Sequence, residues 1–137
     1  MAAAHRRTSA DLTPVPGNPI SQALTTQAGG YSFFQAIRLL RHLTREEAST
    51  EEAHRVGRIR VRPNLSLSFP SSDLETIERV EEDDHFRVTA NFLGLYGCAS
   101  PLPTFYTEDL LAEAAQDESV SREFIDIFNQ RLYDLLY

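Results

Sequence analysis

FLGLYGCASPLPTFY, residues Phe92 to Tyr106, is the stretch around which the rest of the chain is organised. An apolar run breaks there into a turn held by Gly94, Gly97, Pro101 and Pro103. Glycine reaches positive φ without steric cost, and proline fixes its own φ while pushing the preceding residue towards extended geometry, so the segment reads as a shaped connection. Its large side chains, Phe92, Leu93, Leu95, Tyr96, Leu102, Phe105 and Tyr106, are too many to leave in water, since full burial of each is worth about 1.5 to 3 kcal/mol. They need a cover, from this chain or from a partner.

The residues leading into the turn set the fold class. Phe86 to Phe92 is the natural antiparallel mate of Leu74 to Val80, with Glu81 to Asp84 as the hairpin tip. Leu74, Ile77 and Val80 also fit helical spacing, but the alternation in TIERVEE favours a strand. The four acids of the tip read as a solvated turn that discourages edge-to-edge pairing, or as a contact for a basic partner surface. Further upstream, Ile59 to Arg62 and Leu65 to Phe69 alternate in the manner of strands with one wet face, broken at Pro63-Asn64 and again at Pro70 to Asp73. The expected fold is α+β: a short antiparallel sheet between Ile59 and Phe92, flanked by amphipathic helices, with a flexible N-terminal arm.

Three helices surround these strands. One is predicted over Ser32 to Leu43, with Ser32 as N-cap, Phe33, Ile37 and Leu40 on one face, and Arg38, Arg41, His42 and Arg45 on the other. Phe34 and Leu39 widen its apolar stripe. The acidic stretch from Thr44 to Gly57 reads as an exposed connection. A second helix is expected over Thr107 to Ala115 with Thr107 as N-cap. The third is capped by Ser121 and carries Phe124, Phe128, Leu132, Leu135 and Leu136 as one long apolar stripe, with Ile125 and Tyr133 beside it. No glycine or proline closes it before Tyr137, which implies that the natural chain continues. Residues 1–30, rich in proline, glycine and small polar side chains, read as a loose arm.

Composition excludes more than it identifies. The 137 residues suit one domain with one modest core, with 42% hydrophobic residues and no run of membrane-spanning length. The start lacks the apolar core of a secretory signal, and one cysteine, Cys98, allows no internal disulfide, so a cytoplasmic location is the default. Met1 to Arg62 holds nine arginines against five acids, a net of +4; Pro63 to Tyr137 holds four against 15, a net of −11, which together give the −7 of the chain. All 13 basic residues are arginine.

No catalytic constellation, phosphate cradle or metal-ligand spacing stands out, so neither cofactor nor enzyme activity is expected. His85, beside Asp83 and Asp84, reads as a surface histidine, and Cys98 as an idle thiol with no base near it in sequence. A small ligand-binding or enzymatic domain, with the 94–106 turn as a pocket wall and Cys98 or His85 as its titratable group, is the alternative reading. Nucleic-acid binding through the basic first half is a weaker one, opposed by the net charge of −7.

Four blocks also resemble one family: FLGLYGCASPLPTFYTEDLL from Phe92, FFQAIRLL at Phe33 to Leu40, IRVRPNLSLSFPSSDLETIE at Ile59 to Glu78, and FIDIFNQRLYDLLY at Phe124 to Tyr137. Their order and spacing are similar to the type VI secretion baseplate subunit TssG, also called the ImpH or VasB family. The resemblance runs from about Tyr31 to Tyr137 and to the N-terminal part of longer family members, so residues 31–137 are expected to be a TssG-like N-terminal domain cut short at its C-terminus. It implies a structural wedge component that assembles with TssF-like, TssE-like and TssK-like subunits and catalyses nothing. Phe33, Phe34, Tyr96, Phe105, Tyr106, Phe124 and Phe128 are the expected interface or core residues, because aromatics dominate buried contacts of both kinds.

Overall fold

A computed structural model of the chain describes residues 19–47, 58–80, 82 and 85–137. The elements run α1 (Pro19–Thr26), a 3-10 turn (Ala28–Gly30), α2 (Phe33–Glu47), β1 (Ile59–Pro63), β2 (Leu74–Val80), β3 (His85–Ala90), α3 (Thr104–Ala114) and α4 (Val120–Leu136). The α+β class is as expected.

β3 is the middle strand. Phe86, Val88 and Ala90 face the core with Val61, Leu74 and Ile77, and α1 and α2 close that face through Leu24, Ala28, Phe33, Ala36, Ile37, Leu40 and Leu43. In α2 these residues fall at helical spacing, and Arg38, Arg41, His42 and Arg45 stay exposed on the other side. The helix runs on to Glu47, past the expected end at Leu43. Its first free amide, Phe33 N–H, donates to Asp73 Oδ2 at 3.4 Å, so the carboxylate that suits the helix N-terminus comes from 40 residues away.

β2 and β3 form the expected antiparallel hairpin, from Leu74↔Ala90 to Val80↔His85. Its acidic tip lies, apart from Glu82, outside the described residues. The register shifts between Leu74 and Thr76. That bulge explains the helix-like spacing of Leu74 and Ile77, because one extra residue lets two positions three apart face the same side of a strand.

The expected all-antiparallel sheet is corrected. The strand order is β1-β3-β2, and β1 runs parallel to β3, with Ile59↔Phe86 through Pro63↔Ala90 in register. The chain from Asn64 to Asp73 carries β2 to the far side of β3, leaving β1 and β2 antiparallel but separated. The expected strand over Leu65 to Phe69 is also absent: the segment is irregular, and Phe69 is 97% exposed. Ser66 and Ser68 share a hydroxyl contact at 2.6 Å, and Ser68 N–H donates to Ser66 Oγ at 3.1 Å. Such local serine bonds compete with ladder pairing, and no facing apolar surface rewards the alternation.

The reading of residues 1–30 as a loose arm fails over its second part. α1 and the 3-10 turn pack against β2, with Leu24 and Ala28 in the core. Residues 1–18 lie outside the described residues. Two helix starts shift as well. α3 begins at Thr104 behind Pro103, whose φ of −54° is already preset, and Thr107 lies inside the helix, 1% exposed. α4 begins at Val120 behind Ser119, whose hydroxyl donates to Glu123 Oε1 at 2.8 Å, while the Ser121 hydroxyl donates to Glu113 Oε1 at 2.7 Å and ties α4 to α3.

After α3, Asp117 sits at φ 58°. Glycine takes that left-handed conformation without the Cβ penalty, so Asp117→Gly is expected to raise stability by about 0.5 to 1 kcal/mol, measured by denaturant midpoint.

Candidate functional site

The organising turn is fastened to one face of α4. Leu95 N–H donates to Asn129 Oδ1 at 3.0 Å, Tyr96 hydroxyl to Asp126 Oδ1 at 2.6 Å, and Tyr133 hydroxyl to Phe92 O at 2.6 Å. Arg122 Nε donates to the Tyr96 hydroxyl at 3.1 Å, and Asn129 Nδ2 to Asp126 Oδ1 at 3.1 Å. Gln130 Oε1 accepts from Val61 N–H at 2.7 Å, which satisfies an amide on the outer edge of β1 and covers that edge. On the turn's other flank Gly97 N–H donates to Thr107 Oγ1 at 3.1 Å.

Both turn glycines are required by close approach. A Cβ on Gly94 would run into the Pro63 ring, and one on Gly97, at φ +96°, would lie 2.7 Å from Asn64 O. Gly97→Ala is therefore expected to cost about 2 kcal/mol, read as a lowered denaturant midpoint with unchanged slope.

The face of α4 turned inward is polar. Arg122, Asp126, Asn129 and Tyr133 fall at i, i+4, i+7 and i+11, and Asn129 and Tyr133 are 0% and 1% exposed. The opposite face is apolar and open: Val120 is 80% exposed, Phe124 61%, Ile127 67%, Phe128 51% and Leu135 69%. An ordinary amphipathic helix has these faces the other way round. The Phe124 and Phe128 rings meet edge to face at 5.4 Å.

The expected aromatic residues divide accordingly. Phe33 and Tyr96 are interior, and Phe33 packs edge to face on Phe92 at 5.0 Å. Phe34, Phe105, Tyr106, Phe124 and Phe128 are exposed. Phe105 and Tyr106 stack on each other at 4.3 Å, and Phe34 stacks on Tyr137 at 6.2 Å, under Arg41 at 4.0 Å from the Tyr137 centroid. Val120 and Ile127 were missed by the sequence reading; their signal was helical spacing from Phe124, one turn before it and three residues after.

The surroundings of Cys98 offer little chemistry. Cys98 is exposed, at the rim of a shallow depression that the turn walls with Asn64, Asn91, Tyr96 and Gly97; no histidine lines it. His85 is not the expected surface residue. It is 3% exposed at the start of β3. No group of three possible metal ligands occurs among the described residues, and no helix among them is long and apolar enough to cross a membrane.

Burial holds the Tyr96 hydroxyl above the usual tyrosine range, and the bond to Asp126 adds to this while Arg122 opposes it. Tyr133 is raised too, first by burial and then by the Tyr96 and Asp126 charges. Unfolded tyrosine ionises near pH 10, so above about that value the unfolded chain releases protons that the folded chain retains. These two tyrosines add stability below about pH 10, and it is lost as pH rises towards their folded values, with a limiting slope of about 1.4 kcal/mol per pH unit for each. The chain has no lysine, so its alkaline limb should follow tyrosine ionisation; Tyr133→Phe is expected to flatten it, measured by urea unfolding between pH 9 and 11.

The family model described as Type VI secretion, TssG matches residues 27–137, from the 3-10 turn to the end of α4. No match is found among curated proteins or among solved structures. That match takes in the sheet, the organising turn and the inverted helix, and the chain therefore belongs to the TssG family of type VI secretion components.

Proposed function

We propose that the chain is a non-catalytic structural component of a type VI secretion baseplate, located in the cytoplasm, and that it assembles with TssF-like, TssE-like and TssK-like subunits. The observation that carries this reading is the outward apolar face of α4. A helix that spends its polar side on the core and offers Val120, Phe124, Ile127, Phe128 and Leu135 to the outside exposes the kind of patch that marks a protein contact. The Phe105–Tyr106 stack adds a second exposed aromatic element. The acids of α3, α4 and their connection, eight against two arginines over residues 104–137, surround these side chains with negative charge and favour a partner with a basic rim.

The test is co-expression of the tagged chain with TssF-like, TssE-like and TssK-like subunits in pairs, followed by size-exclusion chromatography. Co-elution with at least one of them supports the reading. A chain that is folded by circular dichroism but elutes alone in every pair overturns it.

A further inference from the structure

The face of the sheet turned away from α1 and α2 carries arginines. Val61 and Val88 are register partners and both lie in the core, so Arg60, Arg62 and Arg87, one residue out of phase with them, stand on the opposite face. Arg62 is half-buried there, and its Nε is closed off from solvent without a hydrogen-bond partner among the described residues. Arg122 arrives from α4, with its Nε on the Tyr96 hydroxyl and its Nη2 3.5 Å from the carbonyl of Pro63, the last residue of β1.

Among the described residues, Arg62 is short of negative charge. Burial lowers the Arg62 pKa most, and Arg122 and Arg87 lower it further. The carboxylate that acts on Arg62, Asp126, already accepts from Tyr96 and Asn129. Glu78, the cross-strand neighbour of Arg87, is exposed at the far side and does not contribute at Arg62. A partly buried cation with like-charged neighbours is costly, and an oxyanion that brings negative charge beside it is the chemistry that relieves it.

We propose that Arg62, Arg87 and Arg122 form a binding site for a small oxyanion of the phosphate or sulfate type, on the sheet face opposite α1 and α2. Guanidinium groups from two strands and a helix gather positive charge around Arg62, and those of their N–H donors that are not already bonded can take such a group by planar forks, which lysines would not. The site lies apart from the outward face of α4 and does not depend on the assembly reading.

The experiment is thermal unfolding of the whole chain in inorganic phosphate, sulfate or chloride at equal ionic strength. Phosphate and sulfate are expected to raise Tm over chloride by about 4 °C at ten times the dissociation constant, growing with the logarithm of concentration. Arg62→Met and Arg87→Met should each remove the shift, while Arg38→Met, exposed on α2, keeps it. Arg62→Lys retains the charge without the fork and should weaken the apparent affinity about tenfold. Ribose 5-phosphate separates the sources: an equal shift means that the phosphate can be carried on a larger molecule, and a smaller one that the site closes around the free ion. Absence of a shift at saturating phosphate, or a shift retained in both methionine variants as a general salt effect would give, overturns the proposal.

Discussion

Asn129→Leu is expected to destabilise the protein by about 3 kcal/mol, although it makes α4 more apolar. Asn129 is fully buried and uses both ends of its amide: Oδ1 accepts from Leu95 N–H, and Nδ2 donates to Asp126 Oδ1. Leucine of similar size removes both bonds. The part-buried Leu95 amide would be left without its acceptor, and Asp126 would lose one of its two donors, each omission carrying about 1 to 3 kcal/mol. The measurement is urea unfolding at neutral pH. Phe128→Asn, which makes the opposite exchange on the exposed side of the same helix, is the control and should stay within about 0.5 kcal/mol of the parent. If Asn129→Leu were neutral and Phe128→Asn costly, the orientation of α4 described above would be wrong.

The second large effect concerns association. Phe124→Asp combined with Phe128→Asp is expected to reduce binding to whichever TssF-like, TssE-like or TssK-like partner co-elutes by a hundredfold or more, about 2.8 kcal/mol, while Tm changes little. Both rings lie on the open side of α4, at 61% and 51% exposure, so the folded monomer forfeits little by their loss. An interface that buries them would lose two large apolar contacts and acquire two desolvated carboxylates in a surface that is already acidic. Titration by surface plasmon resonance gives the fold-change, and circular dichroism shows whether the fold is kept. A folded double variant with parental affinity would mean that the α4 face is not the contact, and would direct attention to Phe105 and Tyr106.

Much of this fold is legible in the residues because the signals are local. Phe33, Ile37 and Leu40 at helical spacing, with Arg38 between them and Arg41 and Arg45 following, allow one amphipathic helix and little else. The β2–β3 hairpin follows from adjacency and alternation, and the need for glycine in the turn follows from FLGLYGCASPLP itself. The failures are non-local. Leu65 to Phe69 alternates as well as any strand in the chain, yet it forms none, because a strand needs a ladder partner and a facing core as well as its own pattern. The spacing of Leu74 and Ile77 looked helical because a bulge cannot be read from one strand alone. Thr107 and Ser121 carry strong cap chemistry, but their hydroxyls serve Gly97 and Glu113, tertiary partners that a local pattern does not name.

The candidate surface shows the same division. The sequence by itself determined that α4 is a helix with an aromatic stripe, that the turn before it is built on glycine and proline, and that the chain resembles TssG, since each depends on residue type and spacing. Tertiary structure alone decided that β3 lies between β1 and β2, and which side of α4 faces the sheet. The edge amide of Val61, the turn amide of Leu95 and the hydroxyls of Tyr96 and Tyr133 all require polar partners, and the polar side of α4 supplies them. Buried polar groups left unpaired cost more than those bonds contribute when made, so satisfying them turned Phe124 and Phe128 outward.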